Sequence, residues 1–141
     1  MNAETFYDTN VFVYQLDTTD KRKQKVAEAL VRSAMADESV CISFQVVQEW
    51  LNTVLRKAAV AMEPARARQY LDLVLLPLMK VGATPALYQR ALDVQERWRF
   101  GFYDSLIVAA ALSAGCTRLL TEDLQHGQRI ESLTVENPFL R

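Results

Sequence analysis

The chain has 141 residues, half of them apolar, and a net charge of −1; that length suits one domain with a sizeable core, and the charge argues against holding nucleic acid by bulk positive potential. No apolar run is long and unbroken enough to span a bilayer, and "MNAETFYDTN" lacks the basic and apolar regions of a signal peptide. Cys41 and Cys116 lie in apolar surroundings without metal-type spacing, so they read as buried free thiols in a reducing compartment, and the expected location is cytoplasmic with no membrane association.

In chain order, "ETFYD" (4–8) is expected to form a short buried strand ending in Asp8, followed by the first helical turns in "TNVFVYQL". Residues 20–36 form a helix capped by Asp20. "SVCIS" is a second strand, bounded by Ser39 and Ser43. Residues 44–60 have helical periodicity. Pro64 and Pro85 each suit the first position of a helix, over "PARARQYLDLVLLPL" and "PALYQRALDVQERW". Between them "LMKVGAT" holds a short strand. In "GFYDSLIVAAALSAG" the helix after Asp104 is apolar on all sides from Leu106 to Leu112, hence buried, with Gly115 as its stop. "TRLLTEDL" begins as a strand, and "SLTVENPFL" holds the last one. Short apolar strands alternating with helices predict a single α/β domain over residues 1–141, three-layered, with a short mainly parallel sheet flanked by helices.

In such sheets ligands bind beyond the carboxyl ends of the strands. Asp8 ends the first strand, while Thr121 and Asp123 end the strand "RLLT", so topology sends two acids to one rim. Asp104 heads the apolar helix, where a carboxylate can cap the exposed N–H groups or hold a metal, and the two roles are compatible. Periodicity places Glu49 only on the polar face of its helix, beside Thr53 and Arg56. Acids gathered at one rim repel one another unless a hard divalent cation joins them. Thr9, Asn10, Ser105 and Thr121 stand where a hydroxyl or amide could orient those carboxylates. If a metal neutralised four of the 17 acids, 13 would face 16 basic residues. Basic clusters lie at Lys21, Arg22, Lys23 and Lys25 and at Arg97 and Arg99, positions that equally suit solvated helix faces.

Other chemistries find little support. His126, the only histidine, falls in a loop, so there is no histidine pair for metal-free RNA cleavage. One His and two distant Cys do not suit zinc. No Gly-rich phosphate loop and no G-x-S-x-G elbow occur. A phosphatase with Asp8 as nucleophile would want a second acid two residues on, where Asn10 stands.

"YDTNVFVY", an acid in the helix after the second strand, "FYDSLIVAAALSAGC" and "LLTEDLQHG", in this order and spacing, resemble the PIN domain, and more narrowly the toxin ribonuclease of a VapBC-type toxin–antitoxin pair. The resemblance covers essentially the whole chain. It implies an Mg2+- or Mn2+-dependent endoribonuclease with Asp8, Glu49, Asp104 and Asp123 as catalytic, metal-holding acids, Thr121 as an accompanying hydroxyl and Asn10 near the cleft. It also implies an RNA substrate, a small antitoxin partner and a homodimer. The alternative is a catalytically silent PIN-like module that binds RNA or a protein. Val47, Trp50, Leu51 and Val54 are expected to offer the partner a groove if exposed.

Overall fold

The computed structural model describes residues 3–57 and 59–141. Six strands form one sheet: β1 (Thr5–Tyr7), β2 (Val40–Ser43), β3 (Met79–Val81), β4 (Arg118–Leu120), β5 (Arg129–Ile130) and β6 (Leu133–Glu136). Their order is β3-β2-β1-β4-β6-β5, and all neighbours are parallel except β5 and β6. Successive strand residues point to opposite faces. Every residue of β1 and β2 is buried, so helices cover both faces of the central sheet. This is the expected α/β architecture. The antiparallel β5 is an addition, too short to leave a signature in the sequence.

The helices are α1 (Thr9–Tyr14), α2 (Lys21–Ala36), α3 (Phe44–Val54), α4 (Pro64–Tyr70), α5 (Leu76–Leu78), α6 (Pro85–Trp98) and α7 (Phe102–Ser113). Asp20 caps α2 by accepting from the Lys23 N–H, and Thr84 caps α6 by accepting from that of Leu87. Between α4 and α5 the helix widens into a π turn at Leu71–Leu75. Pro77 lacks the N–H that would serve the Leu73 carbonyl there, which disfavours a regular α turn.

α3 is shorter than the expected 44–60. The chain turns back after Val54, the Met62 N–H donates to the Val54 carbonyl at 3.0 Å, and Val60 is buried. Residue 58 of that span lies outside the described residues. The expected groove is also corrected. Trp50 and Val54 are fully buried, Val47 is buried, and Trp50 stacks on Tyr70 with centroids 4.5 Å apart. Trp50 joins α3 to α4 through Tyr70, and of the four expected groove residues only Leu51 is partly exposed, so they form no free apolar face.

α7 is buried from Ser105 through Leu112 and packs against α6 and the sheet. Gly115 stops it with φ +78°, a conformation costly for residues with a Cβ. The Cys116 N–H returns to the Ala111 carbonyl and the Gly115 N–H to that of Leu112, both at 3.0 Å, the bond pair of a Schellman end. Cys41 and Cys116 are both free and buried, with their sulfurs 3.6 Å apart. Among the described residues no helix is long and apolar enough to cross a membrane.

Candidate active site

From β1 the chain passes to β2 on one side, while β4 pairs on the other, so a crevice opens beyond the carboxyl ends of β1 and β4. Asp8 directly follows β1 and caps α1, its Oδ1 accepting from the Thr9 N–H at 2.7 Å. Its Oδ2 accepts from the Thr121 hydroxyl at 2.7 Å. Two backbone bonds hold this corner: the Asp8 N–H donates to the Leu120 carbonyl at 2.9 Å, and the Thr121 N–H to that of Glu136 at 3.0 Å. Thr121 Oγ1 also accepts from the Asp123 N–H at 3.1 Å, which turns the segment after β4 toward the crevice.

The Thr9 hydroxyl donates to Glu49 Oε1 at 2.9 Å, linking α1 to α3. Glu49 is thus brought to the cluster although its helix periodicity assigned it only to a polar face. Asn10 Nδ2 lies 3.4 Å from Asp123 Oδ2 and 3.5 Å from Thr121 Oγ1, a loose contact with both. Asn10 Oδ1 is buried without a hydrogen-bond partner.

Asp104 does not cap α7. The helix begins at Phe102 with Gly101 as its cap residue and no side-chain cap bond, so Asp104 occupies the third helical position. The helix starts three residues earlier than a cap at Asp104 would place it, with Phe102 half-buried against the core. Asp104 still lies in the first turn, where the helix dipole favours a negative charge. Ser105 is fully buried and its hydroxyl has no partner.

The electrostatics tie the acids together. Burial, countered by the bonds from Thr121 and Thr9, pushes Asp8 up to about 7, with Asp123 and Glu49 adding to the rise. Burial also raises Glu49, and the charges of Asp123 and Asp104 raise it further. Asp104 is raised by burial and then by Asp123. Asp123 lies at the exposed lip, yet partial burial and the neighbouring Glu122 raise it as well. Each of the other three acids feels the Asp123 charge, so the four form one electrostatic unit.

Among the described residues no three acidic, histidine or cysteine side chains converge into a ready cation cage. The donors nevertheless fit a hard divalent ion. They are all oxygen, their charges are mutually unfavourable, and the orphaned Asn10 carbonyl adds a neutral acceptor at the rim. Mg2+ keeps several waters and needs only one or two carboxylates, so a loose acid ring suffices. Two cavities of about 590 and 600 Å³, both lined by Glu38 and Lys80, include none of the four acids. At the acid site Asp8 is buried, Glu49 and Asp104 are half-buried and Asp123 is exposed.

Two residues near the site had no signal in the sequence. Gln45 is buried, and its Nε2 donates to the Tyr103 carbonyl at 3.1 Å, tying the start of α3 to the first turn of α7. Glu122, beside Asp123, is bound by Tyr14 and Lys23. His126 is exposed, and its Nδ1 accepts from the Asn137 N–H at 3.0 Å, a bond that ties loop to loop.

The PIN domain family profile matches residues 5–129. Comparison with curated proteins finds no match. Among solved structures, the DNA-bound VapBC from Salmonella typhimurium is 17% identical over 96% of this chain and 98% of its own, with a TM-score of 0.66. The Mycobacterium tuberculosis VapC20, a sarcin-ricin loop cleaving toxin, is 20% identical over 82% of this chain and 87% of its own, with a TM-score of 0.61. PAE2754 from Pyrobaculum aerophilum is 25% identical over 87% of this chain and 83% of its own, with a TM-score of 0.55.

Proposed function

The chain belongs to the PIN-domain family, and from that premise we propose that it is an Mg2+- or Mn2+-dependent endoribonuclease, the toxin of a toxin–antitoxin pair. The observation that carries this reading is the network in which Thr9 and Thr121 tie Asp8, Glu49 and Asp123 together beside the β1/β4 crevice, with Asp104 within electrostatic reach and all four acids raised in pKa. These four residues would hold the cation. When bound, it supplies the charge that lets the acids ionise together and lowers the pKa of water. The protein's own part is orientation. Thr121 fixes Asp8 Oδ2, Thr9 fixes Glu49 Oε1, and Asn10 reaches toward Asp123. The proposed substrate is RNA, whose single-stranded loops are the elements with bases that proteins can read.

A silent binding module has less support, because a module that needs no chemistry has no reason to bury Asp8 among like charges. The antitoxin partner and the homodimer belong to the proposal. Leu73, Leu76, Tyr88 and Leu92 are exposed large apolar residues that such contacts could cover. Structural neighbours include VapBC and FitAB complexes, assemblies of the proposed kind.

Expression in a host that lacks the partner is expected to arrest growth, with the Asp123→Asn variant harmless and co-expression of the adjacent gene restoring growth. Unimpaired growth with soluble wild-type protein present would contradict the toxin reading.

A further inference from the structure

The basic run at the start of α2 divides in two. Lys21 and Lys25 are exposed, whereas Arg22 donates from Nη2 to the Phe139 carbonyl at 2.7 Å. Lys23 turns inward. Its Nζ donates to Glu122 Oε2 at 2.9 Å and to the Tyr14 hydroxyl oxygen at 3.1 Å. The Tyr14 hydroxyl donates in turn to Glu122 Oε1, which closes a ring of three side chains. The ammonium lies 4.6 Å from the centre of the Tyr14 ring, and that ring packs edge-on against Phe139 at 4.9 Å. Both charged side chains are about a quarter exposed, at 24% and 23%.

Asp123 sits in a segment of neither helix nor strand, so side-chain bonds must hold it. Asn10 and Tyr14 are four residues apart on α1 and therefore share a face. From that face Asn10 reaches Asp123 and Tyr14 reaches Glu122, two adjacent rungs between α1 and the segment after β4. Lys23 adds a third attachment from α2 and cancels a negative charge directly beside the acid site.

We propose that Tyr14, Lys23 and Glu122 form a clamp that positions Asp123, and that Lys23 serves the site through Glu122 and not as a contact to RNA phosphate. This rests on the nuclease reading for the role of Asp123. The clamp is argued from geometry, since a partly exposed ion pair contributes little to stability by itself.

The test compares Lys23→Met, Glu122→Gln, the double variant and the exposed-surface control Lys21→Met. Mn2+ affinity is measured by calorimetry, and kcat, KM and the salt dependence by RNA cleavage. Loss of a nearby cation acting only through space would tighten Mn2+ binding. Loss of the clamp weakens it, so the sign separates the two. Lys23→Met and Glu122→Gln are each expected to weaken Mn2+ binding and lower kcat by about 10-fold, the lower end for residues that orient metal ligands. KM should stay within about twofold, and the double variant should be no worse than the worse single one, as for two members of one unit. The salt slope and Lys21→Met should match wild type.

Tighter or unchanged Mn2+ binding in Lys23→Met would overturn the clamp. So would a raised KM with a salt slope lower by about one, the mark of a lost phosphate contact. Wild-type protein that binds Mn2+ but cleaves no RNA would remove the nuclease reading and leave the Mn2+ measurements to decide the clamp. Wild-type protein that binds no Mn2+ would overturn both.

Discussion

Asp104→Asn is expected to fold like the wild type and to lose at least about 100-fold in RNA cleavage, since even partners that merely orient metal ligands cost about 10–100-fold. Asp104→Ala should behave the same way. As a cap, Asp104 would make the two substitutions differ, because Asn keeps the acceptor oxygen and Ala loses about 1 kcal/mol with it. The cap of α7 is Gly101, however, and the helix start uses no side-chain bond. What Asp104 gives the fold is a first-turn charge, worth about 0.3–1 kcal/mol. Desolvation of its charge by burial and repulsion from Asp123, which both raise its pKa, offset that gain. Both variants should therefore unfold within about 0.5 kcal/mol of wild type without metal, as surface substitutions do. Thermal unfolding in EDTA and single-turnover cleavage with saturating Mg2+ read the two effects separately. An active Asp104→Asn enzyme would remove Asp104 from the site.

The metal-free protein is expected to lose stability as pH rises from about 4 to 7, the reverse of ordinary acid unfolding. The ordinary value of an aspartate, 3.8, is raised for Asp8 to about 7 in the fold. Between these values the native state holds a proton that the unfolded chain has released. The contribution of Asp8 is therefore whole below about pH 4 and is lost as pH climbs through about 7, a change of at most about 4 kcal/mol. Glu49, Asp104 and Asp123 are shifted in the same direction.

Asp8→Asn should flatten the profile and exceed wild type in stability by about 1–3 kcal/mol at pH 8 in EDTA. An Asn oxygen can still cap Thr9, but its amide must face the Thr121 hydroxyl, which offsets about 1 kcal/mol of the relief. Mn2+ should reverse the order, since a ligand of the native state alone stabilises by mass action and Asn removes a charged donor. Denaturant unfolding at pH 5, 6, 7 and 8, with and without Mn2+, checks this. A wild-type curve rising from pH 5 to 8 in EDTA, or an equal slope in Asp8→Asn, would count against the strained acid cluster.

Much of this arrangement could be read from residue order. Short apolar strands and proline-headed helices announced the alternating fold, and Asp8 and Thr121 fall at strand ends, where α/β sheets bind ligands. Asp104 was visible as a lone acid before an apolar run. The true cap position is not legible in the sequence, because the helix also recruits Tyr103 and Phe102, and the packing of Phe102 against the core depends on the tertiary fold. Glu49 was legible only through family likeness, since periodicity cannot see the Thr9 hydroxyl 40 positions away. The groove expected along α3 failed for the same reason, as the face of Trp50 is filled by Tyr70 from α4. Lys23 looked like one cation in a basic run, and its partner Glu122 lies 99 positions along the chain. Contacts of this kind are set by topology, which local pattern does not encode.

The most direct test of the acid site is cleavage of a mixed RNA pool by the purified wild-type protein, in EDTA and then with Mn2+, with the ends of the products identified. The four acids predict no cleavage in EDTA and cleavage once Mn2+ is restored. Water then attacks phosphorus and the 3′ oxygen leaves, so the fragments carry 5′-phosphate and 3′-hydroxyl ends. Undiminished cleavage in EDTA, leaving 2′,3′-cyclic phosphates, would mean that the RNA's own 2′-hydroxyl attacked and would contradict the proposed site.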